Sequence, residues 1–231
     1  MIKLENTEVI GWEHAMRGMR NPMNSWEKSD SYMHLNMNAM TIESIIGRND
    51  HDLAMRLAKG GSVHAKYRRM IAVYVDITAP LYWWKEFDTY KVGTVANSCS
   101  TMHKIHAKEF TLEDFSCEKL FTEYGDPSMN LNYAGKYPLG VLQDVINALN
   151  NFRYWYKETK DKRYWEQMIQ LLPSSYNQKR TVMLNYEVLV GMYRDRKNHK
   201  LDEWRELCKW IESLPYSELI TGEVENGQNS D

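Results

Sequence analysis

The chain has 231 residues, which is enough for one compact domain with a substantial core. Apolar residues make up 43% of the chain and charged residues 26%, as in an ordinary soluble globular protein. A formal net charge of −2 and the lack of a bilayer-length apolar run argue against nucleic acid and membrane as partners.

The cysteines and histidines give no sign of a metal site. Cys99, Cys117 and Cys208 are odd in number and widely spaced, and no metal-binding pattern includes them. His103 and His106 are three residues apart, but Glu109 alone does not complete a ligand set. The N-terminus also lacks a signal-like apolar segment, so we expect a cytoplasmic protein.

The first forty residues read as a strand, a helix and a loop. Residues 2–11 carry apolar positions in a strand-like run, and residues 12–20 form a short helix. Residues 18–40 are rich in Met, Asn and Ser, which predicts a loop held by its surroundings.

A second helix has clear start and stop signals. Asn49 or Asp50 is predicted to cap its beginning, and Gly60-Gly61 to end it. A strand is then predicted from Met70 to Thr78, with Ile71, Val73, Val75 and Ile77 on one face. Residues 81–91 are aromatic and charged, and they favour a further helix.

The C-terminal half is predicted to be helical. Apolar residues repeat at three and four positions over 141–156, 165–172, 185–196 and 201–211. The tail 221–231 is polar and expected to be disordered. The pattern indicates an α+β fold, with a modest, mainly antiparallel sheet packed by helices in a single domain over residues 1–220.

Two blocks of sequence, taken with their spacing, resemble the flavin-dependent thymidylate synthases. The first is Gly60-Gly61-Ser62-Val63-His64, then the strand 70–78 and the segment 81–102, which resembles that family's Gly-His-x-Ser turn, strand and signature helix. The second runs from Leu171-Leu172-Pro173 through Asn185 to Arg196, and it resembles the family's Leu-Pro, Asn and Leu-Arg landmarks.

The resemblance implies a flavoprotein of the methyltransferase class. Family members are homotetramers that bind FAD where subunits meet. They transfer a carbon from methylenetetrahydrofolate to C5 of deoxyuridine monophosphate (dUMP), with NADPH as the reductant. No protein nucleophile takes part, so the protein contributes positioning and electrostatics.

The resemblance also implies roles for particular residues. Arg196 matches the arginine that holds and polarises the uracil, where a fixed guanidinium stabilises charge developing on the base. His64 and Asn185 match residues that bind FAD. Tyr90 takes the place of a signature histidine, and His199 lies next to the position of another, so both join the candidate cofactor-binding residues.

The signature segment departs from the family pattern at most positions. Candidate substrate-binding residues occupy the altered places: Glu86, Lys91, Thr94, Asn97 and Cys99. Thr101 and Ile169 stand where the family has phosphate-binding arginines, and Glu187 and Gly191 replace an Arg and an Asn.

The loss of two arginines affects phosphate binding. A charge-assisted hydrogen bond contributes about 1.5–3 kcal/mol, so the two losses weaken binding by roughly a hundred- to ten-thousand-fold. Lys85, Lys91 and Lys104 replace some of the charge but not the bidentate geometry. We therefore expect a nucleotide pocket altered away from ordinary dUMP.

Two further features leave alternatives open. One predicted helical face carries Trp83, Phe87 and Tyr90. These rings could form a surface on which a flavin ring or a base stacks, but the favoured interpretation is that they belong to a core or a subunit interface. Basic stretches at 66–69, 160–163 and 194–200 could follow a phosphate backbone, but solvated surface is the favoured interpretation.

Two functions therefore remain as hypotheses. One is a flavoenzyme that performs reductive one-carbon transfer to a pyrimidine nucleotide or nucleoside. The other is a non-catalytic homologue that uses the same scaffold to bind a nucleotide or a protein partner.

Overall fold

The computed structural model describes residues 2–37, 40–122 and 137–222. Within these ranges the strands are β1 (Lys3–Ile10), β2 (Tyr32–Asn36), β3 (Thr41–Ile45), β4 (Ala72–Pro80), β5 (Val95–Ser98) and β6 (Asn177–Asn185). The helices are α1 (Trp12–Arg20), α2 (Arg48–Lys59), α3 (Leu81–Phe87), α4 (Pro138–Thr159), α5 (Lys162–Leu171), α6 (Tyr186–Arg196), α7 (Asp202–Glu212) and α8 (Glu218–Thr221).

The strands form two small sheets. Four of them pair in the order β1-β4-β6-β5, and β2 pairs with β3 as an antiparallel hairpin in which Met33 lies opposite Ser44. A small, antiparallel sheet accompanied by helices confirms the predicted α+β class.

The chain divides into two compact units. The first contains residues 2–3, Thr78–Thr89 and the described part of Ser98–Arg180, and the second contains Leu4–Ile77, Tyr90–Asn97 and 181–222. Strands β4 and β6 continue along the chain from one unit into the other. A single domain over residues 1–220 stays a prediction.

Each unit has its own apolar core. In the first, a buried cluster joins the loop after β5 to α4 and α5 and includes Phe110, Phe115, Leu149 and Met168. In the second, the predicted face of β4 is buried through Ile71, Val73, Val75 and Ile77. Full burial of such a side chain stabilises the fold by about 1.5–3 kcal/mol, so these faces fix the strand and helix orientations.

The loop predicted for residues 18–40 is only partly correct. Single 3-10 turns occupy Asn21–Met23 and Trp26–Lys28, but β2 and β3 then form the hairpin. The hairpin was missed although apolar and polar residues alternate over 33–37, because the Met, Asn and Ser content of the segment favours a loop and the first strand is largely exposed.

The predicted cap of α2 is also wrong. The N-cap is Gly47, and the carboxylate of Asp30 accepts hydrogen bonds from the backbone N–H groups of Asn49 (2.9 Å) and Asp50 (3.1 Å). A capping side chain that lies 19 and 20 positions upstream of the N–H groups it caps leaves no local sequence signal. The predicted end at Gly60 is correct.

The signature segment 89–101 is not helical. Helix α3 ends at Phe87, and the chain continues through turns into β5. Gly93 adopts a φ of 78°, a left-handed conformation that a helix excludes. Strand β6 and helix α8 were not predicted.

The predicted tail begins in a helix, since Thr221 is the last residue of α8. The rest of that tail, 223–231, lies outside the described residues. No helix in the described ranges is both long and apolar enough to cross a membrane.

Candidate functional site

The guanidinium of Arg196 is held by two aromatic side chains in the second unit. Arg196 is the last residue of α6, and its Nε donates a hydrogen bond to the hydroxyl of Tyr90 at 3.0 Å. Its guanidinium carbon lies 4.5 Å from the ring centroid of Trp204 and 5.7 Å from that of Tyr90. A cation over aromatic faces gains about 0.5–2 kcal/mol, so these contacts restrict the arginine to one orientation.

His199 completes the aromatic surroundings of this arginine. Its ring meets the ring of Trp204 edge-on, with centroids 6.2 Å apart. The backbone N–H of Leu201 donates to Nδ1 of His199 at 3.2 Å, which makes Nδ1 the acceptor nitrogen of the ring.

Asn185 occupies the N-cap of α6. Its side-chain oxygen accepts a hydrogen bond from the backbone N–H of Val188 at 3.1 Å, as N-cap residues do. Gly93 lies against this cap, because a Cβ added there would be 3.0 Å from both Asn185 Nδ2 and Val188 Cγ2. The segment around residues 90–94 therefore contacts both ends of α6.

Thr94 carries an unsatisfied hydroxyl in the same segment. Its Oγ1 is buried and has no hydrogen-bond partner among the residues that the structure describes. Buried polar atoms almost always have a partner, so an orphaned one marks a position where a ligand or another chain can supply it. Lys91 and Asn97 are exposed in this segment.

Glu187 forms an ion pair with Arg68. The carboxylate lies 2.9 Å from Nε of Arg68, with side-chain exposures of 20% and 7%. Arg68 also donates from Nη1 to the carbonyl of Leu219 at 3.1 Å. The pair neutralises this carboxylate. The interpretation of residues 66–69 as solvated surface is wrong for Tyr67 and Arg68, which are buried.

His64 lies in the turn that follows α2. Its backbone N–H donates to the carbonyl of Gly61 at 3.0 Å, and its ring packs against Gly60. The side chain is exposed. A larger residue at position 60 would displace the ring, because an added Cβ would lie 3.1 Å from His64 Cδ2.

Glu86 and Cys99 belong to the first unit, whereas the other candidate residues belong to the second. Glu86 is half-buried in α3. Cys99 is exposed, and its backbone is fixed by hydrogen bonds to the Lys179 carbonyl and from the Gln178 side chain.

The aromatic segment is part of the core, which confirms the favoured interpretation. Trp83, Trp84 and Phe87 are all buried, and the rings of Trp83 and Phe87 stack at 5.1 Å. Arg180 lies over the ring of Trp84 at 4.1 Å. The predicted helical face shared with Tyr90 is wrong, since α3 ends before that residue.

Two residues that shape the site were not predicted. Trp204 lies in the predicted apolar repeat of residues 201–211, and Gly93 lies in the signature segment. A tryptophan within an apolar repeat gives no signal for a cation partner. No group of three metal-ligating side chains occurs within the described ranges.

The fold is that of the flavin-dependent thymidylate synthases. Neither a protein-family model nor a curated protein matches the sequence. Among solved structures, the chain is similar to a crystal structure of thymidylate synthase X (ThyX) from Helicobacter pylori with FAD and dUMP. The TM-score is 0.64 at 15% identity, with 96% of this chain and 98% of that chain covered.

A second structure, flavin-dependent thymidylate synthase ThyX from Helicobacter pylori complexed with FAD and dUMP, gives the same result. Its TM-score is 0.63 at 16% identity, with 95% and 98% of the two chains covered. At this identity the likeness establishes the scaffold, and the chemistry has to be argued from the side chains.

Proposed function

We propose that this protein is a flavin-dependent enzyme that transfers a one-carbon unit reductively to a pyrimidine nucleotide or nucleoside. FAD is its cofactor, methylenetetrahydrofolate the carbon donor and NADPH the reductant. Arg196 is the catalytic residue, and the substrate differs from ordinary dUMP in how its phosphate is held, or lacks the phosphate.

The restrained guanidinium of Arg196 is the observation that carries this proposal. A cation aimed at a base carbonyl stabilises the negative charge that develops when C5 of the pyrimidine acts as a nucleophile. Because Tyr90 and Trp204 already fix Arg196, little reorganisation remains when the charge appears. Asn185 supports the same helix at its other end.

The candidate ligand-binding side chains of the second unit fit a flavin in their chemistry. Tyr90 and His199 present ring surfaces, His64 is accessible, and Thr94 offers an unsatisfied hydroxyl. When bound, the reduced flavin supplies the hydride. The ion pair of Glu187 with Arg68 keeps a carboxylate from repelling the anionic parts of the cofactor.

The proposed change of substrate follows from Ile169 and Thr101. Ile169 is partly buried against the core of the first unit, so its side chain is engaged in packing. Neither an isoleucine nor a threonine supplies the bidentate cation of an arginine. We therefore expect deoxyuridine, or a nucleotide recognised through other contacts, to be preferred over dUMP.

Exposed apolar side chains next to the candidate residues support assembly into a homotetramer. Val63 precedes His64, Val92 follows Lys91 and is 91% exposed, and Val95 follows Thr94. Isolated exposed valines are ordinary, but three beside candidate ligand residues suit a site completed by another subunit.

The absorbance spectrum of the purified protein, after incubation with FAD and gel filtration, tests this proposal. A flavin spectrum that is bleached by NADPH is the expected result. Turnover assays with deoxyuridine and dUMP should then show product with the wild-type chain. Arg196→Lys should lower kcat by at least about a hundredfold, because it loses the planar fork.

Arg194→Lys is the matched control, because Arg194 is exposed on the same helix and pairs with Asp195. It should leave turnover unchanged. A protein that takes up no flavin and turns over neither substrate would contradict the proposal and favour the non-catalytic homologue.

A further inference from the structure

A row of cations occupies one face at the end of α4. Arg153, Lys157 and Lys160 are spaced at i, i+4 and i+7, so they share a helical face, with Lys160 as the C-cap. The row extends about 10 Å along the helix axis, given a rise of 1.5 Å per residue.

The segment 103–106 adds a fourth cation to this face. Nε of Arg153 donates to the carbonyl of His106 at 3.2 Å, and the ring of His106 meets that of Tyr156 edge-on at 4.9 Å. A turn closed by the Ala107 N–H and the Lys104 carbonyl, at 2.9 Å, keeps Lys104 close to the same point.

The pKa of His106 reflects the same cluster of cations. Burial lowers the pKa of His106, and the charges of Lys104, Lys160, Arg153 and Lys157 lower it further. Its Nδ1 is buried without a hydrogen-bond partner in the described part of the chain.

No carboxylate among the described residues forms an ion pair with Lys104, Lys157 or Lys160, and all three are exposed. Nearby cations behave differently: Arg163 pairs with Asp161 at 2.6 Å and Lys162 with Glu166 at 3.1 Å. The dipole of α4 favours positive charge near its C-terminus and so explains the positions of Lys157 and Lys160. It does not explain why Lys104 and Arg153 lie on the same face.

We propose that Lys104, Arg153, Lys157 and Lys160 form a binding site for a chain of two or three phosphate groups. The row is longer than a single phosphate, and Arg153 is held in place by the His106 carbonyl while the lysines act as adaptable point charges. A nucleoside triphosphate and a single-stranded nucleic acid both carry this chemistry.

The site lies within the first unit and uses none of the residues assigned to flavin. Lys104 is its one overlap with the lysines considered for the nucleotide phosphate, so the test below measures binding and does not rely on turnover.

The test uses the full chain and two probes. Binding of a fluorescent single-stranded oligothymidylate of about twelve nucleotides is followed by anisotropy between about 50 and 200 mM salt. Binding of a nucleoside triphosphate is followed by calorimetry. We expect wild-type binding to at least one probe to weaken as salt rises.

The triple variant Lys104→Gln, Lys157→Gln, Lys160→Gln should weaken that binding by at least about tenfold. For the oligonucleotide it should also reduce the slope of log K against log salt by about 2, because about 0.7 is lost per phosphate contact. Circular dichroism and the unfolding midpoint establish that the variant is folded.

The triple variant Lys3→Gln, Lys28→Gln, Lys59→Gln removes the same charge from other exposed positions and should bind like the wild type. An oligonucleotide that binds while the triphosphate does not identifies nucleic acid as the source, and the reverse identifies a nucleotide. Binding to neither probe, or equal loss in both triple variants, would overturn the site. Flavin uptake is unaffected in either case.

Discussion

At the scale of single residues, Tyr90 contacts one residue of α6 and one of α7. Its hydroxyl accepts a hydrogen bond from Arg196, and its ring meets that of Trp204 at 6.0 Å. A resemblance alone assigns Tyr90 to the flavin, whereas the geometry also makes it a positioning residue for the arginine.

Tyr90→Phe tests this positioning. It keeps the ring and removes a hydrogen bond to a charged group, which contributes about 1.5–3 kcal/mol, so kcat should fall by about tenfold or more with KM less affected. Tyr193→Phe is the control, because Tyr193 lies on α6 with Arg196 and its hydroxyl bonds to Glu212 of α7 at 2.8 Å. Equal losses in both variants would indicate a merely structural effect.

Asp50 was predicted to cap a helix and instead forms a buried ion pair. It is fully buried beside Arg20, which is 4% exposed, with Nε and Oδ1 2.5 Å apart. The hydroxyls of Ser29 and Ser31 also donate to it at 2.6 Å. Burial by itself would raise the pKa of Asp50, but the hydroxyls and the Arg20 guanidinium outweigh burial and lower it.

Asp50→Asn should reduce the free energy of unfolding by about 3–5 kcal/mol, because it leaves the guanidinium of Arg20 buried without a counter-charge. Urea unfolding at neutral pH measures this loss. Asp52→Asn, two residues away and exposed, should cost less than about 0.5 kcal/mol. A small effect of Asp50→Asn would mean that the remaining polar contacts suffice.

At the scale of elements, the contact between the turn at Gly93 and the start of α6 joins two segments about ninety residues apart. Gly93 and Gly61 both have a left-handed φ, 78° and 86°, but only Gly93 has neighbours within 4 Å of an added Cβ. Alanine substitutions at the two glycines therefore distinguish the cost of a left-handed backbone from the cost of close packing.

Gly61→Ala should cost about 1 kcal/mol of unfolding free energy, from the left-handed backbone alone. Gly93→Ala should cost at least about 1 kcal/mol more, since its Cβ would press on Asn185 and Val188. Thermal or urea unfolding compares them. Similar costs at both positions would show that the turn can move away from α6.

The elements that were predicted correctly share one property. The buried face of β4 and the long helix α4 place apolar residues at a regular period, so their own side chains specify them. In the hairpin β2–β3 the alternation over residues 33–37 does not mark a buried face, because that strand is largely exposed. The extended segment 89–101 lacks a regular period, and its structure depends on neighbours that no local pattern reveals.

At the scale of the whole molecule, two buried tyrosines tie stability to alkaline pH. The hydroxyl of Tyr67 donates to the Ala54 carbonyl at 2.9 Å, and that of Tyr186 donates to the Pro215 carbonyl. Burial raises the pKa of both above the ordinary value of 10.0. Folding therefore favours the protonated phenols, and this stabilisation is lost as pH rises above about 10.

The free energy of unfolding, measured by urea titration, should fall from about pH 10 upward by as much as about 1.4 kcal/mol per pH unit for each tyrosine. Tyr67→Phe and Tyr186→Phe should each flatten this slope, although each also loses a hydrogen bond at neutral pH. Tyr154→Phe should leave the slope unchanged, because that ring is exposed. An unaltered slope in both buried variants would contradict the assignment.

The amino-acid sequence by itself determined the α+β class, the periodic helices, the resemblance to the flavin-dependent thymidylate synthases and the pairing of Asn185 and Arg196 on one helix. Those features are local, because repeat, cap and spacing are written in neighbouring residues. Only the tertiary structure decided that Trp204 and Tyr90 hold Arg196, that Glu187 is neutralised by Arg68, and that cations gather around His106. These contacts join residues far apart in the chain, where burial and charge depend on which surfaces meet.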